Sequence, residues 1–332
     1  LPLMSVFPSR TLVVAALLTA VSPAAAQSNI GDWFNPRFGQ LRIAGDYAVK
    51  HWCQQGIDQT DTSMHITSHD AQFSVPIFQN QRQELSARAR VGVWDIEGGA
   101  MLPDKGIEFP DDLWDVAFGA TYRWKLENDW IAGIDGEIGS ASDKPFHSED
   151  EWLIRGTGWL MVPTEGRDAW LFFLSYSNTR DFLPHAPLPG AAYSWHVNDK
   201  LHWLVGFPYT RLSWEPIDRL ELEASYFFPR TIHARIGYRV LENVKVYGGY
   251  DWDYEQWFRA GRSDYEDGIF YYEQRVSTGV RWEITDSIYV DASGGYAFDR
   301  MFFEGEDYDD RGTDRINIGD GLFVGVKAGI RF

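Results

Sequence analysis

The chain has one cysteine, Cys53, so no internal disulfide can form and the fold holds without covalent staples. Long apolar runs are missing as well. The longest, 11–21, is too short to cross a bilayer as a helix, which excludes helical membrane spans. Cations are scarce: 30 Lys and Arg stand against 48 Asp and Glu, a formal charge of −18. With no basic stripe, nucleic acid is excluded as a partner. Linkers, low-complexity tracts and breaks in composition are absent too, so nothing divides the body of the chain into separate domains.

What is present begins with an address. Arg10 gives a positive n-region, 11–21 an apolar h-region, and Ala24-Ala25-Ala26 before Gln27 a small-residue cleavage site. Residues 1–26 therefore read as a secretory signal peptide, 27–38 as a periplasmic lead-in and 39–332 as the folded body. No cysteine stands at the cleavage point, so a lipoprotein is not expected.

The organising pattern is alternation, clearest in the closing stretch 321–332. Leu322, Val324, Val326, Ala328, Ile330 and Phe332 form one set; Phe323, Gly325, Lys327, Gly329 and Arg331 form the other. A greasy face and a wet face with period two make a strand. The same pattern recurs at 40–50, 84–94, 113–126, 169–178, 219–228 and 231–240. Mean hydropathy is −0.33, ordinary for a soluble protein, but a barrel hides from that measure because only alternate residues meet lipid. Aromatics reach 16% and gather toward strand ends, at Trp124, Trp130, Trp152, Trp170, Tyr176, Tyr250, Trp252 and Trp282, as interfacial girdles do. Strands of about eleven residues match a tilted crossing of the hydrocarbon layer better than a soluble sandwich.

Reading down the chain gives fifteen candidates, ending with 288–298 and 321–332. In 63–78 the apolar phase changes from Met64 and Ile66 to Ala71, Phe73 and Val75, so a bulge near Ser68-His69 is expected. Pro76 marks a kink or a strand end. A closed barrel with both ends in the periplasm needs an even number. Counts from the two ends collide in 190–214, where Gly206-Phe207-Pro208 breaks the pattern. The expectation is an all-β, closed antiparallel transmembrane β-barrel of about 14 strands, with 12 or 16 as the neighbouring solutions.

Two stretches, Ser74-Val75-Pro76-Ile77-Phe78-Gln79-Asn80 and Asp112-Leu113-Trp114-Asp115-Val116-Ala117-Phe118-Gly119-Ala120-Thr121-Tyr122-Arg123, carry a resemblance. With Gly206-Phe207-Pro208 and the terminal aromatic strand, they are similar to a family of bacterial outer-membrane barrels defined as a domain of unknown function. That resemblance implies fold and location, and no reaction or substrate. It also implies that the closing strand, ending on Phe332, is the signal read by the barrel-assembly machinery, with Lys327 where a glycine is usual.

Taking the wet phase as inward, the lumen collects Arg42, Arg88, Arg90, Arg123, Arg155, Arg235, Arg239, Arg275, Arg281, Lys327 and Arg331. Against them stand Asp46, Glu84, Asp135, Glu137, Glu221, Glu223, Asp251, Glu273 and Asp291. Such charges either pair into ladders that fill the lumen or line a wet passage whose field selects solutes. Acidic loops at 149–151, 264–267 and 304–310 are solvated or hold divalent cations beside lipid headgroups. His65 and His69, four apart on a strand, share no helical face, so no metal site is read there and no cofactor is expected. A hydrolase needs Ser, His and an orienting group; Ser175, Ser177, His202 and His233 are available, but nothing in the sequence ties them together. The expectation is a non-enzymatic barrel in outer-membrane lipid, a passive pore or transporter-like barrel for small solutes. The alternative is a structural or surface-interaction barrel with a salt-bridged, plugged lumen.

Overall fold

The computed structural model describes residues 38–332 apart from 59, 181, 182 and 230; the signal segment and most of the lead-in lie outside the described residues. Among the described residues, sixteen long strands form one sheet, each antiparallel to its neighbours, and the sheet closes on itself. The first eight are β1 (Ala44–Gly56), β2 (Ser63–Gln79), β3 (Gln83–Glu97), β4 (Asp112–Lys125), β5 (Ile131–Ser142), β6 (Trp152–Pro163), β7 (Ala169–Ser177) and β8 (Leu188–Asn198). The rest are β9 (Leu201–Phe207), β10 (Tyr209–Ile217), β11 (Leu220–Phe227), β12 (Thr231–Leu241), β13 (Val244–Trp257), β14 (Gly268–Thr285), β15 (Ile288–Gly305) and β16 (Gly321–Arg331). Closure runs β1 against β16, from Ala44↔Arg331 to Trp52↔Phe323. Closure leaves the ring without a first or last strand open to aggregation.

The strand number is sixteen, the upper of the two solutions neighbouring the expected 14. Residues 200–214 do not contain one irregular strand but parts of two, β9 and β10, joined through Pro208 alone. Proline lacks the ladder donor and ends β9, and the chain reverses within a single residue. The expected bulge at Ser68-His69 is also absent. β2 pairs β3 without a break from His65↔Glu97 to Pro76↔Ser86, and the irregularity falls after Pro76. Met64 and Ile66 simply face inward, where they join a buried core. β1 runs on to Gly56, six residues past the alternating stretch 40–50.

The outward face is apolar all round, with Phe118, Ile134, Phe172, Leu174, Ile236, Val276 and Val324 exposed. Water would penalise that surface and acyl chains do not, so the barrel is transmembrane. Aromatic rings gather at the end that carries the short turns: Tyr122 with Trp124, Trp170 with Tyr193, and Trp195 with Trp203. The wall is uneven. β14 and β15 have 18 residues each, whereas β9 has 7 and β11 has 8. At ~3.3 Å per residue the long pair extends well past an apolar band of about 25 Å, while the short ones barely cross it. One side of the external rim is tall and the other low.

Candidate functional site

Side chains that touch across intervening strands identify the inner face. Trp52 Nε1 on β1 donates to Glu273 Oε2 on β14 at 2.6 Å, past β16 and β15. Arg88 on β3 donates to Asp135 on β5 at 2.7 Å, past β4.

The lumen is divided near its external end. β12 pairs with β13 no further than Ile232↔Trp252, so the upper part of β13 has a free edge. That edge turns inward and meets β5, which is eight strands away in either direction round the ring. Ser142 and Phe258 form a parallel bridge, and Phe258 N–H donates to Ala141 O at 2.8 Å. The seam continues through the loops. Ala260 N–H donates to Asp143 Oδ1 at 2.6 Å, and Arg262 donates to Glu151 Oε1 at 3.3 Å and to Asp150 O at 2.8 Å. An unpaired backbone edge has found its partner across the lumen. β13 to β16 and β1 to β5 enclose one lobe; β5 to β13 enclose the other.

The first lobe is sealed. Trp94 packs on Trp52, Trp257 and Tyr271 with centroids 5.2, 5.1 and 4.8 Å apart. The β3–β4 loop folds in to add Leu102 and Phe109, the latter 4.7 Å from Phe302. Beneath the aromatics, Arg275 is held by Glu273 at 2.8 Å, Asp253 at 2.7 Å and Asp251 at 3.2 Å. Arg300 approaches Glu273 at 3.5 Å, and Lys50, Asp70 and Glu255 lie in the field of the same network. A second network centres on Glu137, which gathers Arg88 at 3.5 Å, Arg90 at 3.4 Å and Arg155 at 3.5 Å; Arg90 also meets Asp115 at 3.0 Å. Glu84 pairs with Arg123 lower on the same wall.

The second lobe keeps its charges in reach of water. The side chains of Arg211 and Arg235 are 30% and 29% exposed, against 9% for Arg275 and 1% for Arg300 beneath the aromatic layer of the sealed lobe; Arg88 and Arg90 of the Glu137 network lie between, at 21% and 15%. Arg211 contacts Glu223 at 3.4 Å, while Glu221 takes Lys245 at 2.7 Å and Arg239 at 3.1 Å. Opposite this cationic wall, Met161, Leu171 and Ala192 follow the register of β6, β7 and β8 as a buried apolar stripe with Trp159 and Phe38. Ser194 Oγ lies 2.8 Å from His202 Nε2, and His202 stacks on His196 at 4.2 Å. The paired serine is thus Ser194, not Ser175 or Ser177, and among the described residues no ion pair orients His202.

Of the other residues read as inward, Arg281 lies on the Tyr289 ring at 3.8 Å, Asp291 accepts from Tyr247 at 2.5 Å, and Lys327 meets Asp46 at 2.9 Å. Arg331 ends β16, and Arg42 sits exposed ahead of β1. His51, His65 and His69 are brought together on the outer face, His51 beside Thr67 and His69 beside Tyr47. The acidic loops are tied to cations of other loops. Lys105 binds Asp267 at 2.7 Å and Glu304 at 3.2 Å, and Arg259 meets Glu304 at 3.1 Å. Burial alone would lower the Lys105 ammonium; those carboxylates outweigh it and hold the group above its ordinary 10.5. What sequence reasoning missed is the trio His233, Asp251 and Asp253, whose ligand atoms lie within 4.8 Å of one another. Each alternates inward on neighbouring strands, which was the available signal; their register was not.

Fold and lumen together define a closed transmembrane β-barrel with a partitioned interior. No family model matches the chain, and no curated protein does. Among solved structures it is similar to an outer membrane channel from Pseudomonas putida F1, at 10% identity, TM-score 0.39, covering 90% of this chain and 96% of that one. It is also similar to OccK7 of Pseudomonas aeruginosa, at 10% identity, TM-score 0.36, covering 89% and 99%. The translocator domain of the autotransporter NalP from Neisseria meningitidis matches at 7% identity, TM-score 0.32, covering 93% and 94%. The functional reading rests on the lumen itself.

Proposed function

We propose that this chain is a bacterial outer-membrane barrel that conducts small solutes, with a preference for anions, through the lobe between β5 and β13. The observation that carries this reading is the contrast in exposure between the cations of the two lobes: Arg211 and Arg235 stay in reach of water while Arg275 and Arg300 on the facing side are buried. Along the middle of β10 to β13, Arg211, Arg235, Arg239 and Lys245 stand against Glu221 and Glu223, while Asp251 and Asp253 higher on β13 are held by Arg275 from β14. A low-dielectric wall focuses such a field on the passage. The low external rim over this lobe leaves it without long loops at Pro208 and between Phe227 and Thr231. The sealed lobe acts as a strut, and β16 with Phe332 is offered as the segment read by the assembly machinery.

The test is single-channel recording of the purified barrel in a planar bilayer under a salt gradient. Conductance with a reversal potential favouring anions is expected, and Arg211→Glu with Arg235→Glu should shift it toward cations. A correctly inserted barrel that stays silent overturns the reading. The plugged structural barrel would then stand, supported by the packing of Phe38 on the apolar stripe.

A further inference from the structure

We propose that His233, Asp251 and Asp253 form a binding site for a divalent transition-metal ion in the barrel wall. His233 and Asp251 are direct register partners on β12 and β13, and Asp253 is the next inward residue on β13. His233 Nδ1 lies 2.8 Å from Asp251 Oδ1, and its Nε2 lies 3.4 Å from Asp253 Oδ1. The other oxygens are anchored from behind: Arg275 Nε holds Asp251 Oδ2 at 3.2 Å, and Arg275 Nη2 holds Asp253 Oδ2 at 2.7 Å. One donor atom from each of the three residues lies within 4.8 Å of the others, and one guanidinium holds the far oxygen of both carboxylates, as outer-shell partners orient metal ligands.

The setting supports a cation there. Arg275 is shared by three carboxylates, Asp251, Asp253 and Glu273, so its single charge is divided among them. The next cation, Arg235, reaches Asp251 only at 3.9 Å. The donor set of one nitrogen and two oxygens suits Zn²⁺, Co²⁺, Fe²⁺ or Mn²⁺ better than Ca²⁺, whose shell is all oxygen. Both aspartates are buried, but the His233 side chain is 23% exposed on the side of the wet lobe, which gives an entry path and leaves coordination positions open. Arg275, positive and in contact with both carboxylates, weakens the hold, so the ion exchanges. The site does not depend on whether solute passes through the barrel.

The experiment uses the full barrel, stripped of metal, in detergent micelles with millimolar Mg²⁺ to occupy the acidic loops. Titration with Co²⁺ should give a visible d–d band that saturates at one ion per chain and is displaced by Zn²⁺. His233→Ala should abolish the band while His202→Ala keeps it, with the heat-modifiable gel shift reporting insertion of each. Asp253→Asn, which keeps side-chain shape, should weaken binding by about tenfold or more, and it decides the matter if His233→Ala does not insert. No saturable band, or a band that survives both substitutions, overturns the proposal.

Discussion

At the scale of single residues, the inner wall is made flat by glycines under aromatic rings. A methyl placed on Gly133 would lie 2.2 Å from the Trp159 ring, and one on Gly190 would lie 2.1 Å from the Phe173 ring. Gly133→Ala should therefore destabilise the barrel by about 1–3 kcal/mol through overpacking. The check is the midpoint of urea unfolding in micelles, with Gly136→Ala, where no atom lies within 4 Å, as the reference. The pair Glu84 and Arg123 predicts a different asymmetry. Arg123→Met leaves a buried carboxylate and should cost about 3–5 kcal/mol, whereas adding Glu84→Gln should recover most of it. Equal costs for single and double variants would show that the pair is not buried as described. One acid at the short-turn end gives a pH dependence with a definite sign. The His196 backbone N–H, and next the Tyr193 hydroxyl, hold the Asp168 carboxyl below its ordinary 3.8 despite some desolvation. Its stabilising effect is present above that value and is lost as pH falls through the lowered folded value. Amide exchange at His196 should stay protected from neutral pH to about pH 4 and lose protection only below it; Asp168→Asn should remove that acid transition. At this scale the sequence was most legible. Alternation placed Arg88, Glu137, Arg275 and Glu273 on one face because the pleat allows nothing else. Their partners were not legible, because Arg88 and Asp135 skip a strand and Trp52 and Glu273 skip two.

At the scale of elements, legibility failed where short-range rules met a tertiary constraint. Pro208 reads as a kink when a strand of ordinary length is expected, and becomes a reversal only because β9 and β10 are both short. Met64 and Ile66 look like a change of phase because a wet lumen is assumed, and the external half of the sealed lobe, where they sit, is dry. The free edge of β13 could not be foreseen, since it arises from β12 ending early on its neighbour. That edge supports a prediction. Phe258→Pro deletes the N–H that bonds Ala141 O, and removing Arg262 in the same chain deletes the links to Glu151 and Asp150. Without the seam, the upper part of β13 has no partner on that side and the two lobes merge. Limited proteolysis should then cut within 259–267, where the parent resists. An unchanged digestion pattern would mean that the loops alone hold the division.

At the scale of the molecule, a ring of sixteen strands is wide enough to leave an aqueous channel, yet half of this one is filled. The fill comes largely from the wall itself, completed by one loop. Replacing 98–111 with a short Gly-Ser turn would withdraw Ala100, Leu102, Ile107 and Phe109 from the sealed lobe and leave β3 and β4 intact. Leu102 and Phe109 are fully covered and contribute about 1.5–3 kcal/mol each through burial. The remaining Trp52, Trp94 and Trp257 would meet water on the side the loop had covered. Insertion should survive, because the outward face and the strand register do not involve the loop. Thermal stability should fall, and tryptophan emission should move to the red as those three rings become wet. Conductance separates the two lobes. If the sealed lobe is closed by packing alone, the loop-deleted barrel gains a second conducting level. If the Arg275 and Glu137 networks beneath it also close the path, the parent level persists while emission still shifts. A loop-deleted barrel with unshifted emission would show that the aromatic layer needs no covering loop, and the account of the dry lobe would have to be rebuilt from the wall alone.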